Sequence, residues 1–139
     1  MKKKPKNKAK LACELAQQLA RLVETDCNGN GFCFSCGKPT GYWESHGGHF
    51  QPKGRDYNAA CLDRRNVHLQ CIRCNMYEQG NPAGYASHMV QKYGKEVIEE
   101  LFLMSRHPNS KEVIEKYIID TRKEIRELAK RKGFKVSVK

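Results

Sequence analysis

The chain has 139 residues, a net charge of +11 and a hydrophobic fraction of 39%. Those totals allow one modest domain with helical extensions, small enough to profit from a metal staple. The basic excess points to a polyanion partner. Nucleic acid is favoured over membrane, because no apolar run is long enough to span a bilayer and no basic helix carries aromatic anchors.

Seven cysteines raise the question of disulfides. Met1 to Lys10 is lysine-rich with no apolar run behind it, so no signal peptide is expected. A reducing compartment follows, where paired cysteines bind metal more often than they oxidise.

Residues 1–10 read as a basic tail. Leu11, Leu15, Leu19 and Leu22 recur at helical spacing and predict an amphipathic helix ending near Asp26, with Cys13 a buried thiol on it. Asn28-Gly29-Asn30-Gly31 breaks that helix. Cys33 and Cys36 then form a C-x-x-C, and Cys71 and Cys74 form a second. Each pair grips a metal from a tight turn, and two pairs complete a tetrahedral zinc site. Cys27 lacks that spacing.

Between the pairs, Gly41 to Leu69 reads as a hairpin with a polar loop at Gln51 to Arg55. Asn66 to Gln70 alternates like a half-buried strand, with Val67 and Leu69 on one side and His68 and Gln70 on the other. A short helix is predicted over Asn75 to Gln79. Asn81-Pro82 reads as a cap with proline at the first helical position, opening a helix to Tyr93 that stops at Gly94. Lys95 to Arg106 forms another, broken by His107-Pro108. Asn109 with Glu112 resembles a capping box for a last helix that reaches Lys132 and closes at Gly133. The division expected is a basic tail at 1–10, a zinc-bound core with its N-terminal helix at 11–94, and a helical region with a basic end at 95–139.

The interval between the knuckles carries the chemistry. Phosphodiester hydrolysis needs an activated water, a neutralised phosphorane and a stabilised leaving oxygen. A histidine can supply the first, and a hard cation the others. His46, His49, Asn66, His68 and Asn75 are the candidates. Each has a plainer reading: a strand-end histidine at 49, a turn hydrogen bond at Asn66, a helix cap at Asn75, a solvated strand residue at His68. Trp43 and Tyr85 read as core. Arg55, Arg64, Arg65 and Arg73 are solvated charges by default, but with Lys53 their density near the candidates favours phosphate contact.

The order C-x-x-C, Gly48-His49, Asn66, then Cys71-Ile-Arg-Cys74-Asn75 resembles the His-Asn-His/Asn (HNH) nucleases. Its Cys74-Asn75 junction is similar to that of phage endonuclease VII. The run Gly48-His49-Phe50, Asn66-Val67-His68-Leu69-Gln70-Cys71, Cys74-Asn75, Gly80-Asn81 and Tyr85 is closer still to the NinG (Rap) recombination proteins of lambda-like phages. The resemblance covers roughly Phe32 to Leu101. It implies an α+β fold, a zinc-clamped ββα-metal (His-Me finger) core with flanking helices. It implies His49 as general base, Asn66 as the brace of the loop, Asn75 as a ligand of a catalytic Mg²⁺ or Mn²⁺, and Cys33, Cys36, Cys71 and Cys74 around structural zinc. One departure stands out. Relatives such as endonuclease VII carry an acid or histidine where this chain has Gly48. His46 is the first candidate to replace it, ahead of Glu44, Asp56 and Asp63.

The reading is a metal-dependent DNA endonuclease acting on branched recombination intermediates such as four-way junctions, in the host cytoplasm if phage-encoded. The branched substrate comes from the resemblance alone. The rivals are a nonspecific or nicking nuclease with the same site, and a zinc-ribbon DNA-binding module without catalysis. A homodimer on the junction is expected, because paired cuts need two sites and the last helix offers Val113, Ile114, Tyr117, Ile118, Ile125 and Leu128 on more than one face.

Overall fold

Asn7 caps the first helix, its side chain accepting the Lys10 N–H; the computed structural model describes residues 7–139. The first helix, α1 (Lys8–Val23), therefore starts inside the expected basic tail. Residues 1–6 of that tail lie outside the described part. Leu15, Leu19 and Leu22 are buried along one face of α1, as their spacing predicts.

A small antiparallel hairpin follows, β1 (Asn30–Phe32) with β2 (Pro39–Gly41), and the first C-x-x-C forms its turn. The second hairpin pairs β3 (Ser45–His49) with β4 (Val67–Cys71). In its register His46 faces Gln70, Gly48 faces His68 and His49 faces Val67. Between these strands lie two short helical turns, Ala59–Leu62 and Arg64–Asn66. One wide turn, Arg73–Tyr77, carries the second C-x-x-C onward. Then come α2 (Pro82–Tyr93), α3 (Glu96–Met104) and α4 (Lys111–Lys132). The fold is mixed α+β, with helices packed around two small sheets.

Alternation divides β4 as the sequence predicts, but both faces are buried rather than one. Val67 packs on Ala16 and Ala20 of α1. The opposite face meets Phe34, which stacks on the His68 ring at 3.9 Å, and Tyr85 beyond it. The hairpin is thus sandwiched, and two of its glycines show how tightly. A Cβ on Gly47 would sit 2.5 Å from the Gln17 carbonyl oxygen of α1. A Cβ on Gly48 would sit 1.6 Å from Gln70 Oε1, on the strand alongside.

Two apolar cores hold the helices. Leu15, Leu19 and Leu22 of α1 pack with Ile118, Ile125 and Ala129 of α4. Tyr85 and Met89 of α2 pack with Val97 and Leu101 of α3 and with Ala60 of the loop. Lys132, in the last turn of α4, donates through Nζ to the Leu22 and Thr25 carbonyls and closes the end of α1. Residues 95–139 are therefore not separate from 11–94, because α1 and α4 share one core. That packing also uses most of the surface expected for a dimer: Ile118 and Ile125 are buried, and Ile114, Tyr117 and Leu128 lie against the same core. Val113 and Ile119 remain exposed on α4.

Three smaller expectations shift. The last helix is capped by Ser110, whose side chain accepts the Val113 N–H. Asn109 is drawn away from that task, because its amide donates to the Tyr57 and Asn58 carbonyls. The short helix expected from Asn75 begins at Arg73, over the second knuckle. Tyr85 is core, but Trp43 is 67% exposed, lying edge-on to Tyr42 and tilted over Phe134. Among the described residues no helix is long and apolar enough to cross a membrane.

The Gly48–Gln70 contact is testable. Gly48→Ala forces the Gln70 amide out of a pocket where Nε2 donates to Ser35 Oγ and the Gly80 carbonyl. Overpacking of this kind costs about 1–3 kcal/mol. Urea denaturation is expected to show that loss in the native background and a much smaller one in a Gln70→Ala background. An equal loss in both would mean that Gln70 is not what excludes a side chain at position 48.

Candidate metal centre and active site

Four thiols meet where the two hairpins touch. Cys33 and Cys36 come from the β1–β2 turn, Cys71 from the end of β4 and Cys74 from the wide turn after it. Their sulfurs all lie within 4.8 Å of one another. Cys36 Sγ and Cys71 Sγ are 3.9 Å apart, close to the roughly 3.8 Å that a tetrahedral zinc with bonds of ~2.3 Å imposes on two of its sulfurs. Backbone and side-chain donors already point at sulfur: the Cys74 N–H to Cys71 Sγ at 3.4 Å, and Asn81 Nδ2 to Cys74 Sγ at 3.5 Å. Burial pushes the Cys74 thiol up to about 12 and raises Cys71 as well. Cys33 goes down: burial opposes its ionisation, but hydrogen bonds from the Cys71, Cys36 and Ser35 backbone outweigh that. Packed thiols resist ionising together unless a cation compensates them, so the donor set fits a soft divalent metal such as zinc.

Asn66 organises the other end of the hairpin. It is fully buried. Its Oδ1 accepts the Gln51 N–H at 2.7 Å, and its Nδ2 donates to the Gln51 and Ala60 carbonyls at 3.1 and 3.0 Å. These bonds pull the loop after β3 and the turn at Ala59–Leu62 onto the start of β4. Both amide N–H groups and the amide oxygen serve the brace.

His49 ends β3 against that loop. Its Nε2 lies 3.0 Å from the Cys61 carbonyl. A carbonyl only accepts, so Nε2 carries the proton. The tautomer is thereby set, and Nδ1 is left with a lone pair. Nδ1 is buried and has no hydrogen-bond partner. Cys13 Sγ of α1 lies 3.5 Å from Nε2. Cys13, His49 and Cys61 form a second group of ligand atoms within 4.8 Å of one another. The Cys13 thiol is pulled down to about 5 by the hydrogen bond from Cys61, against the opposing effect of burial and with help from His49 and Lys53. Cys61 moves up, through its neighbour Cys13 first and burial second, and its Sγ donates to the Lys53 carbonyl at 3.7 Å. From sequence Cys13 reads only as a buried thiol, and Cys61 is not singled out. Each stands alone in the chain, and their only signals are the helical face at Cys13 and the loop position of Cys61.

The other candidates separate. His46 and Asn75 come together, with the Asn75 amide donating to His46 Nδ1 at 2.7 Å. Asn75 Oδ1 makes no hydrogen bond among the described residues. Along β3, His46 and Gly48 share one face and His49 points to the other, so the His46–Asn75 pair and the His49–Cys13–Cys61 group lie on opposite sides of the strand. Gln70 Oε1, on the His46 face, is buried without a partner. It occupies the space that a side chain at position 48 would need.

The basic residues divide as well. His68, expected to meet phosphate, is 2% exposed. It stacks on Phe34 and lies within hydrogen-bond distance of Glu24, the Arg65 carbonyl and the Tyr93 hydroxyl, which makes it a core residue. Arg64 pairs with Glu124, Arg65 with Asp63 and Glu100, and Arg73 with Glu78. Lys53 and Arg55 form no ion pair among the described residues and stay available to phosphate.

Loss of one knuckle ligand tests the metal centre. Cys71→Ser is expected to remove one zinc per chain from the native protein and to broaden its cooperative unfolding transition, because thiolate–zinc binding is folding free energy. Metal analysis with calorimetry reads both. An unchanged zinc content or transition would mean that these thiols hold no structural metal.

Comparison with known proteins gives one consistent answer. The family model of the bacteriophage lambda NinG protein matches residues 1–133. The ninG protein of Escherichia phage 933W is 31% identical over 70 residues, 50% of this chain and 33% of that protein. The ninG proteins of Escherichia phage lambda and Salmonella phage P22 are each 30% identical over stretches covering the same shares. The matched stretch thus spans about a third of each of these relatives. No solved structure matches. With nearly its whole length matched by that model, the chain belongs to the NinG family of bacteriophage proteins.

Proposed function

We propose that the chain is a metal-dependent DNA endonuclease with an HNH-like, ββα-metal core, acting on branched recombination intermediates such as four-way junctions in the cytoplasm of the host cell. The observation that carries this reading is the state of His49. Its Nε2–H is fixed on the Cys61 carbonyl, and its Nδ1 holds an unpaired lone pair. That is the tautomer a general base requires, held by a loop that Asn66 braces. The order of strand, braced loop, strand and helical turn, clamped by four thiols, supports the same core.

In this reading Nδ1 takes a proton from water as it attacks phosphorus. The imidazolium that forms keeps its Nε2–H on the Cys61 carbonyl, which favours the charged ring. Asn75 and His46, on the other face of β3 from His49, would hold Mg²⁺ or Mn²⁺; with the scissile phosphate reaching both faces at the end of that strand, the cation would supply charge neutralisation at the phosphorane and the leaving oxygen. Asn75 fits that task in kind, with an amide oxygen free of hydrogen bonds among the described residues; His46 would ligate by releasing the Asn75 N–H from its Nδ1. Lys53 and Arg55 bind phosphate and position the strand. A two-fold junction needs paired cuts, which two copies of the chain would deliver.

A non-catalytic zinc-clamped DNA-binding module is the second reading. It is favoured by Gly48, where Gln70 fills the space of the usual ligand. A plain duplex or nicking nuclease would share the site and differ only in substrate.

Cleavage of synthetic four-way junctions, flaps and duplex, with and without Mg²⁺ or Mn²⁺, separates the three. His49→Ala is expected to lower the cleavage rate by about 10²–10⁴-fold while leaving DNA affinity nearly unchanged. Asn75→Ala is expected to shift the cation titration to higher concentration. No cleavage of any substrate by the native protein would leave the binding module, and wild-type cleavage by His49→Ala would remove the assigned base.

A further inference from the structure

We propose that Cys13, His49 and Cys61 form a second zinc site, and that zinc bound there switches His49 out of its role as base. The first half stands on geometry alone. The regulatory half rests on the nuclease reading above.

Three separate elements deliver the ligands: α1 brings Cys13, the end of β3 brings His49, and the turn Ala59–Leu62 brings Cys61. Their ligand atoms lie within 4.8 Å of one another. Cys13 Sγ and His49 Nε2 are 3.5 Å apart. A tetrahedral zinc with a Zn–S bond of ~2.3 Å and a Zn–N bond of ~2.0 Å sets those two atoms roughly 3.5 Å apart. The group is therefore close to ligand spacing without rearranging the backbone. Cys13 is 1% exposed and Cys61 is fully buried. Two thiolates with one imidazole are a soft donor set, which selects zinc over Mg²⁺ or Mn²⁺. Three protein ligands leave a fourth position for water.

The consequence for His49 follows from proton bookkeeping on one ring. With no metal, the proton sits on Nε2, bonded to the Cys61 carbonyl, and Nδ1 is the free base. Zinc coordinates through a lone pair, so Nε2 must give up its proton to be a ligand. A neutral ring then carries its proton on Nδ1, and the lone pair that would accept a proton from water no longer exists. The thiols that ligate as thiolates release their protons to solvent. The two states of His49 are mutually exclusive: a base hydrogen-bonded to a carbonyl, or a zinc ligand with no base left.

Metal titration of the native protein tests the site without reference to activity. Protein freed of metal is expected to bind two zinc per chain, and Cys13→Ala and Cys61→Ala one each. With the four-cysteine centre filled by zinc, Co²⁺ is expected to give thiolate-to-cobalt charge-transfer absorption in the native protein and none in Cys13→Ala. One zinc per chain in the native protein, or two in both variants, overturns the site. Circular dichroism checks that each variant is folded, and the cobalt spectrum of the native protein decides if neither is. For the regulatory half, junction cleavage in saturating Mn²⁺ is expected to fall at least tenfold when zinc exceeds one per chain, and Cys13→Ala is expected to resist. Equal inhibition of both would place the competing zinc at the catalytic cation and overturn the switch. If no substrate is cleaved, the nuclease reading fails while the zinc count still decides the site.

Discussion

The four-thiol cluster is the constraint on which the rest depends. It joins the turn of the first hairpin to the end of the second, two pieces of chain far apart in sequence. Around it the backbone is already knitted, with Phe34 N–H donating to the Leu69 carbonyl and Cys33 N–H to the Lys38 carbonyl. With that junction held, β4 cannot slide along β3, and Asn75 is delivered one residue after Cys74 to the side of His46. Release of the junction would free the wide turn Arg73–Tyr77 and the start of α2 together.

The opposite end is fixed by polar chemistry. Asn66 makes three bonds to the loop, and a buried amide with every group satisfied is specific where apolar contact is not. The thiol cluster at one end and the amide at the other leave the loop between β3 and β4 little freedom. The Cys61 carbonyl is thereby placed within reach of His49. The asymmetry has a physical reason. The thiol end approaches open solvent at Cys36, where a metal can enter, and at the amide end Asn66 is fully buried.

Much of this frame was legible in the sequence, and the limits of legibility are instructive. The C-x-x-C pairs, the alternation of β4 and the Asn81-Pro82 helix start encode local geometry, and each was readable because its signal lies within a few residues. The brace at Asn66 was readable as a role, not as a set of bonds. What sequence reasoning could not reach is long-range. The core shared by α1 and α4 joins the two ends of the chain, so the apolar residues of α4 looked surplus when they were spoken for. His68 alternated to the side that looked solvated, but Phe34 arrives from the first knuckle and covers it. Arg64 and Arg65 looked free because Glu124 and Glu100 lie far along the chain.

Cys13 and Cys61 are the sharpest instance of the same limit. Neither has a motif, and only folding brings them to one imidazole. Their meeting depends on α1 crossing the back of the hairpin so closely that Gly47 can carry no side chain. The close approach that excludes a Cβ at Gly47 also sets Cys13 beside His49, one helical turn along α1 from Gln17. A histidine with a fixed carbonyl partner on one nitrogen and nothing on the other is a base in waiting. Two thiols beside the occupied nitrogen give that ring a competing fate. In the proposed switch, the choice between them rests on where one proton resides, Nε2 or Nδ1, and a thiophilic cation is the ligand class that would move it.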